Sequence, residues 1–138
     1  MDFAPAMLEL CRAKGIAESL RRHDLQDTPW PYEAVSFDHV ICVGVFHFIA
    51  GLEAIFAEVG RVLRPGGLFA FTTRWPATTL EPGEPFAHHA EGGLDVYSHA
   101  PENVAALLTG AGFARLRQLR GYVGADLFAI WVARRPLA

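Results

Sequence analysis

Two aspartates of this 138-residue sequence stand where an acidic side chain can bind a ligand. Asp2 and Asp24 fall at the carboxyl ends of predicted strands, where ligands bind in open α/β sheets. An acidic side chain at that edge can accept hydrogen bonds from both hydroxyl groups of a ribose. The alternative is that both acids only form caps or turns, and each aspartate taken singly favours that interpretation.

A histidine follows the most apolar strand of the sequence. His47 comes just after a β-branched run, Phe37 to Gly44, that is typical of a parallel strand buried on both faces. Histidine titrates near neutral pH, so His47 is a candidate catalytic base or acceptor-orienting residue. The alternative is that its ring packs on Phe46 and Phe48 at the start of a helix.

A second group of polar residues lies in a region rich in proline, glycine and histidine. It comprises His88, His89 and His99, with Glu91 and Asp95. Their spacing matches no established zinc pattern, so we predict solvated loop histidines and no metal site.

Composition places the chain among globular domains and excludes several other classes. Hydrophobic residues make up 51% and charged residues 20%, which excludes disorder as the main state. The longest apolar stretch, Val40 to Leu52, is interrupted by His47 and is too short to span a membrane. Asp2 and Glu9 stand where a signal peptide needs a basic start and an apolar run. The net charge of −3 argues against nucleic acid as a partner.

The two cysteines indicate a reducing compartment. Cys11 and Cys42 form neither a disulfide framework nor a zinc pattern. We therefore predict buried free thiols and a cytoplasmic protein.

Alternating helices and apolar runs predict an α/β fold with a mainly parallel, Rossmann-like sheet and flanking helices. Arg64-Pro65-Gly66-Gly67 fits a type II turn between the fourth and fifth of these elements. In chain order we expect a helix from Pro5 that ends near Gly15, strands at Leu20–Leu25 and Phe37–Gly44, a helix at Ala50–Leu63, a strand at Leu68–Thr73, an irregular segment at Trp75–Tyr97, a helix from Pro101 and strands at Phe113–Leu119 and Leu127–Ala133.

Four stretches, in this order and spacing, resemble the class I S-adenosylmethionine-dependent methyltransferases. They correspond to the family's second strand with its acidic end, its third and fourth strands with the intervening loop, its turn into the fifth strand, and a later helix end. The stretches are Asp2–Leu8, Asp24–Pro31 with Ser36–His47, Val62–Leu68 and Gly110–Phe113.

The resemblance implies S-adenosylmethionine as cofactor and a distribution of roles. Asp2 would hold the ribose, Asp24 and Leu25 would frame the adenine, and Phe3 and Met7 would pack on the purine ring. Gly44 and Val45 would lie beside the methionine part, because glycine has no side chain to obstruct the ligand. The segment 75–97 would cap the acceptor pocket. From that cap we expect substrate contacts by Trp75, Phe86, His88, His89 and Tyr97.

The sequence departs from the family in two places. Ala4 stands where the family usually has serine, so a side-chain cap of the first helix is missing. The family's first strand and its glycine-rich turn have no counterpart, and Met1 stands in place of the second strand. We therefore expect a single, N-terminally truncated domain over 1–138, with the strand Val40–Val43 as a bare apolar edge. A missing segment or a second copy of the chain would cover that edge.

The sequence thus predicts methyl transfer from S-adenosylmethionine to a small-molecule acceptor. One alternative is a non-catalytic domain that binds a protein partner through its open sheet edge. A nicotinamide oxidoreductase is the other alternative. It is disfavoured because the phosphate-binding glycine turn is absent and Gly110-Ala111-Gly112 closes a helix instead of opening one.

Overall fold

The computed structural model describes residues 1–137 of the chain. Those residues form two compact units, Met1–Tyr32 and the unit that begins at Glu33. The first unit contains one helix, and the second contains two helices and all the strands.

The helix of the first unit begins and ends where its sequence predicts. Helix α1 spans Pro5–Lys14, with Pro5 in its first turn and Ala4 as an N-cap that makes no side-chain hydrogen bond. Proline suits this position because its missing N–H would have no partner in the helix. Gly15 ends the helix in the left-handed conformation, at φ 64°.

The predicted strand Leu20–Leu25 is wrong, because it is reduced to a single parallel bridge between Asp2 and Arg22. The Asp2 N–H donates to Arg21 O at 3.1 Å, and the His23 N–H donates to Asp2 O at 3.0 Å. A strand needs a partner of similar length. The facing segment turns into α1 at Pro5, three residues after Asp2, so the ladder does not continue beyond the bridge in that direction.

The second unit is a six-stranded mixed sheet with two helices. Its elements are β1 (Phe37–Cys42), a 3₁₀ turn (Phe46–Phe48), α2 (Glu53–Val62), β2 (Leu63–Arg74), β3 (Phe86–Glu91), β4 (Leu94–His99), α3 (Pro101–Gly110), β5 (Ala114–Val123) and β6 (Asp126–Arg134). Five strands lie in the order β3-β4-β2-β6-β5, and β1 pairs with β2. Strand β2 runs parallel to β1 and β4 and antiparallel to β6. The Rossmann-like α/β class is confirmed, although the sheet is mixed instead of mainly parallel.

The sheet is mixed partly because the segment 75–97 is not irregular throughout. Strands β3 and β4 pair antiparallel as a hairpin, from Phe86↔His99 to Glu91↔Leu94. Gly92 and Gly93 form the two-residue turn, at φ 59° and 81°. Two positive φ angles are typical of the tight hairpin turns that glycine favours. The Gly-Gly pair was thus a hairpin signal that our sequence analysis missed.

The Pro-Gly-Gly turn lies inside β2 instead of before it. Phe37 pairs with Leu63 and His39 pairs with Leu68, so residues 64–67 form an irregularity in the ladder. Gly66 has φ 82°, as the third position of a type II turn requires. At Gly67 a Cβ atom would lie 2.5 Å from the Asp38 carbonyl oxygen, so only glycine fits there.

An aromatic cluster forms the core of the second unit. Phe69 and Phe71 stack at 4.4 Å between ring centroids, and Phe56 of α2 packs on Phe71 at 5.1 Å. Trp131 of β6 stacks on Phe71 at 6.0 Å and donates a hydrogen bond from Nε1 to Thr73 Oγ1 at 2.9 Å. All four aromatic side chains are at most 1% exposed. This cluster anchors β2, which carries part of the candidate site.

Strand β1 has one open edge. Among the strands described in residues 1–137, it pairs with β2 alone. Ile41 on β1 is 74% exposed, and Val43 just after it is 66% exposed. An apolar strand with unpaired backbone groups is a pairing site for another chain segment. The expected bare edge is therefore present in the structure.

His99 is buried in the core, so its prediction as a solvated loop histidine is wrong. Its side chain is 1% exposed, and Nε2 lies 3.1 Å from Phe46 O and 2.9 Å from Ile49 O. Both partners are acceptors, so Nε2 carries the hydrogen. Nδ1 is buried without a partner among the described residues. Burial lowers the pKa of His99 below the ordinary histidine value.

We expect the chain to lose stability as the pH falls below the ordinary histidine pKa. In the unfolded chain this histidine takes up a proton near pH ~6.5, whereas in the folded chain burial disfavours protonation. The contribution of neutral His99 to the free energy of unfolding is therefore complete above that pH. It is lost progressively as the pH falls toward the lowered pKa, by at most about 1.4 kcal/mol per pH unit for one histidine. Urea unfolding at several pH values between about 8 and 5 measures how steeply the free energy of unfolding changes with pH.

The variant His99→Gln is the matched control for this slope. Glutamine can donate from its amide to one of the same two carbonyls but does not titrate. We expect a smaller pH slope in the variant. Burial also lowers the pKa of His47, which contributes with the same sign and remains in the variant. An unchanged slope would show that His99 does not carry the effect.

Candidate functional site

The first unit places one candidate acid at a strand bridge and the other just beyond it. The bridge between Asp2 and Arg22 is parallel, so both segments leave it in the same direction, and Asp24 lies two residues beyond Arg22. Asp2 Oδ1 accepts the Ala4 N–H at 2.8 Å, and Asp24 Oδ1 accepts the Gln26 N–H at 2.9 Å. Each aspartate therefore has the turn-forming role of the alternative interpretation. Its second oxygen makes no hydrogen bond within residues 1–137 and can accept from a ligand.

The apolar candidates of the first unit are mostly exposed. Phe3 is 61% exposed and Met7 is 48% exposed. The Arg22 guanidinium lies 5.5 Å from the centre of the Phe3 ring, and its Nε donates to Phe3 O at 3.1 Å. Leu25 is half-buried, and its carbonyl accepts the Trp30 Nε1 hydrogen at 2.9 Å. Phe3 and Met7 thus offer apolar surface against which a planar base can pack.

In the second unit, Gly44 follows β1 with its backbone open to solvent. Its φ is 73°, which glycine adopts readily and other residues do not. Its N–H donates to Thr72 Oγ1 of β2 at 3.0 Å. A Cβ atom there would meet nothing within 4 Å, so there is free space beside the backbone. Val45 follows it and is half-buried. This local geometry fits a residue that lets a ligand approach the main chain.

A cavity of about 670 Å³ lies at the carboxyl ends of β1 and β2. Its volume is within the usual range for small-molecule sites. The lining is mostly apolar, with a few polar groups, as such sites commonly are. It is formed by Val43, Gly44, His47, Phe48, Thr72, Arg74, Glu91, Leu94, Val96, Gly121, Tyr122, Val123, Asp126, Phe128 and Ile130.

His47 lines this cavity and also packs on an aromatic neighbour. Its ring centroid lies 4.0 Å from that of Phe48 and 5.5 Å from that of Phe128. Nδ1 is buried without a partner among the described residues, which leaves Nε2 as the nitrogen that can reach a ligand. Burial, and next the positive charge of Arg74, lower the pKa of His47. The ring is therefore neutral at neutral pH and can accept a proton.

An arginine paired with two carboxylates lies in the same lining. Arg74 donates from Nη1 to Glu91 Oε2 and from Nη2 to Asp126 Oδ1, both at 2.7 Å. Its side chain is only 15% exposed. Hydrogen bonds from Arg74 and then from His89 hold the pKa of Glu91 below its ordinary value. Our sequence analysis named Glu91 only within the polar group of histidines and acids and missed Arg74 and Asp126, because nothing in the spacing of the three residues indicates that they meet.

The predicted substrate residue Trp75 lies beside a different cavity. That cavity has a volume of about 660 Å³ and is lined by residues 75–84 and 100–103. The Arg120 guanidinium lies 5.1 Å from the Trp75 ring centre. Trp75 does not line the cavity that contains His47.

The other four predicted substrate residues lie on the β3–β4 hairpin and line neither cavity. Phe86 packs edge-on against Tyr97 at 5.1 Å. His88 stacks on Tyr97 at 4.8 Å and pairs with Asp95 at 2.8 Å, and His89 contacts Glu91 at 3.1 Å. A role for them in substrate binding stays a prediction.

Three further features concern possible metal ligands, the helices and the thiols. Within residues 1–137, no three histidine, cysteine, aspartate or glutamate side chains are grouped to hold a metal ion. None of the helices in that range is long and apolar enough to cross a membrane. Cys11 and Cys42 are free, and burial raises the pKa of the Cys42 thiol to about 12.

Comparison with known proteins identifies the family. A family model described as "Methyltransferase domain" matches residues 1–71, half of the chain. A probable phthiotriol/phenolphthiotriol dimycocerosates methyltransferase of Mycobacterium ulcerans is 34% identical over 109 residues, which are 78% of this chain and 41% of that protein. The demethylmenaquinone methyltransferase of Deinococcus radiodurans is 29% identical over 134 residues, which are 88% and 56% of the two chains.

A solved structure shares the fold. The SAM-dependent methyltransferase from Methanosarcina mazei superposes with a TM-score of 0.79 at 14% identity, over 99% of this chain and 81% of that one. The chain belongs to the class I S-adenosylmethionine-dependent methyltransferase family. It spans 41% and 56% of the lengths of the two curated relatives named above.

Proposed function

We propose that this protein transfers a methyl group from S-adenosylmethionine to a small, largely apolar acceptor bound in the cavity beside His47. The observation that carries this proposal is the shared lining of that cavity. The open backbone of Gly44 and the neutral ring of His47 both lie in it, at the carboxyl ends of β1 and β2. That end of an α/β sheet is where ligands bind.

The proposal assigns each part of the cofactor to residues that fit it. The ribose hydroxyls donate to Asp2, whose Oδ2 has no hydrogen bond within residues 1–137. Asp24 and Leu25 frame the adenine, and Phe3 and Met7 supply exposed apolar surface for its ring. The methionine end belongs beside the main chain of Gly44 and Val45. When bound, S-adenosylmethionine supplies a methyl group already activated by its positive sulfur.

The protein's own contribution is chiefly positioning. Holding two reactants in the correct geometry can supply about 7–11 kcal/mol toward a barrier. Phe48, Phe128 and Ile130 provide apolar surface for the body of the acceptor. His47 orients the reacting group through Nε2 and accepts its proton there, if the group carries one. The segment 75–97 stays our predicted cap, with Trp75, Phe86, His88, His89 and Tyr97 as predicted substrate contacts.

The names of the relatives support an apolar acceptor. One is named for phthiotriol and phenolphthiotriol dimycocerosates and the other for demethylmenaquinone. These acceptors are lipids and a quinone, and the cavity lining here is predominantly apolar. The free thiols of Cys11 and Cys42 support the cytoplasm as the compartment.

Calorimetric titration of the full chain with S-adenosylhomocysteine tests the cofactor half of the proposal. We expect saturable binding, accompanied by changes in the amide resonances of Asp2, Asp24 and Gly44. Absence of binding at millimolar ligand would contradict the proposal for this chain. Transfer of a labelled methyl group to a panel of small apolar acceptors tests the other half. There, His47→Gln should slow transfer but leave the affinity for S-adenosylhomocysteine unchanged.

The non-catalytic alternative retains one specific observation in its favour. The edge of β1 is open, with Ile41 and Val43 exposed, and can pair with a strand of another protein or a second copy. Under this alternative the chain would bind a partner without binding S-adenosylhomocysteine. The same titration therefore separates the two functions.

A further inference from the structure

The tips of two hairpins meet at one arginine of the central strand. Glu91 is the last residue of β3, directly before the Gly92-Gly93 turn. Asp126 is the first residue of β6, directly after the turn that ends β5. Both carboxylates accept hydrogen bonds from Arg74, the last residue of β2, at 2.7 Å. These three residues, which we call the Arg74 cluster, form one wall of the cavity that contains His47.

The Arg74 cluster is negatively charged as a whole. One guanidinium faces two carboxylates, and each of its terminal nitrogens already donates to one of them. The second oxygens, Glu91 Oε1 and Asp126 Oδ2, make no hydrogen bond within residues 1–137. Two other titratable side chains lie in the lining, His47, whose low pKa leaves it neutral, and Tyr122. His89 contacts Glu91 from outside the lining.

We propose that the Arg74 cluster selects an acceptor whose reacting end is an uncharged hydroxyl group and excludes one that ends in a carboxylate. This inference rests on the proposed function, because it takes the cavity to be the acceptor site. It assigns Arg74 as a positioning residue, which holds both carboxylates in the wall, and Glu91 and Asp126 as specificity residues.

Two physical effects act in the same direction. A hydroxyl group donates its hydrogen to a free carboxylate oxygen of the wall, and a hydrogen bond to a charged acceptor is stronger than a neutral one. A carboxylate has no hydrogen to donate and meets two negative charges against one positive charge. The side chains of Glu91 and Asp126 are 53% and 41% exposed, so solvent reduces that repulsion without removing it. The apolar side chains of Phe48, Phe128 and Ile130 suit the alkyl part of either ligand.

A matched pair of ligands tests the inference by binding alone. Octanol and octanoate have the same alkyl length and differ in charge at one end. We expect octanol to bind the full chain at least about tenfold more tightly than octanoate at about pH 8, a ratio that corresponds to 1.4 kcal/mol. Glu91→Gln and Asp126→Asn each remove one negative charge and keep the shape. In both variants the ratio of the dissociation constant of octanoate to that of octanol should fall by about tenfold.

The variant Glu102→Gln controls for net charge. Glu102 is exposed on α3, outside this cavity, and the substitution makes the same charge change. It should leave the ratio at the wild-type value, with folding of each variant checked by circular dichroism. Equal binding of the two ligands to the wild type, failure of both to bind, or an unchanged ratio in both cluster variants would overturn the inference. Titration with S-adenosylhomocysteine in parallel shows separately whether the proposed function fails.

Discussion

Replacing Asp2 with alanine is expected to weaken the binding of S-adenosylhomocysteine by about 100-fold. Hydrogen bonds to a charged group contribute ~1.5–3 kcal/mol each, and the ribose offers two hydroxyls to one carboxylate. The substitution also removes the acceptor of the Ala4 N–H at the start of α1. Calorimetric titration of the variant against the wild type measures the effect.

Two further variants separate ligand binding from the local fold. Asp2→Asn keeps an oxygen for the Ala4 N–H but loses the charge, so it should restore the helix start and still bind the ligand more weakly than the wild type. Asp27→Ala removes a nearby exposed acid whose side chain makes no hydrogen bond within residues 1–137, and it should bind as the wild type does. An unchanged dissociation constant in Asp2→Ala would remove Asp2 from the ribose site.

Truncation of Phe71 to alanine is expected to cost about 3–5 kcal/mol of unfolding free energy. Phe71 is 1% exposed and contacts the rings of Phe46, Phe56, Phe69 and Trp131. The loss would be a large fraction of the ~5–15 kcal/mol that stabilises a typical domain. Urea unfolding monitored by circular dichroism measures it, and the midpoint should shift without a change in slope.

A second aromatic residue provides the matched comparison for Phe71. Tyr122 of β5 is 74% exposed, so Tyr122→Ala should change the unfolding free energy by no more than about 0.5 kcal/mol. If the two variants lost similar stability, the aromatic cluster around Phe71 would not be the main core of the second unit.

Several elements could be predicted because neighbouring residues determine them. Pro5 and Gly15 delimit α1, since proline favours the first helical turn and glycine favours the left-handed cap. The apolar residues at intervals of three and four place α2 within the predicted range, although the helix begins only at Glu53. The β-branched run at 37–44 predicts β1, which ends two residues earlier, at Cys42.

Other features depend on contacts that no local pattern contains. Leu20–Leu25 has residues suited to a strand, but a strand forms only against a partner, and the structure offers it one bridge. His99 follows a stretch rich in proline, glycine and histidine, which predicts a solvated loop, and only its contacts with Phe46 O and Ile49 O account for its burial. The predicted substrate residues on β3 and β4 belong to one hairpin, yet none of them lines the cavity that contains His47.

The sequence by itself determined the family and the bounds of α1, and it named the acids and the glycine that we propose hold the cofactor, because each depends on residue types over a short span. Tertiary structure alone decided which side chains meet around the cavity. Glu91 and Asp126 follow Arg74 by 17 and 52 residues along the chain. They meet because two hairpins end beside Arg74. The β3–β4 hairpin pairs with β2 through β4, which runs parallel to β2, and the β5–β6 hairpin pairs with β2 through β6, which runs antiparallel to it. Strand register sets that meeting, and register is a property of the assembled sheet.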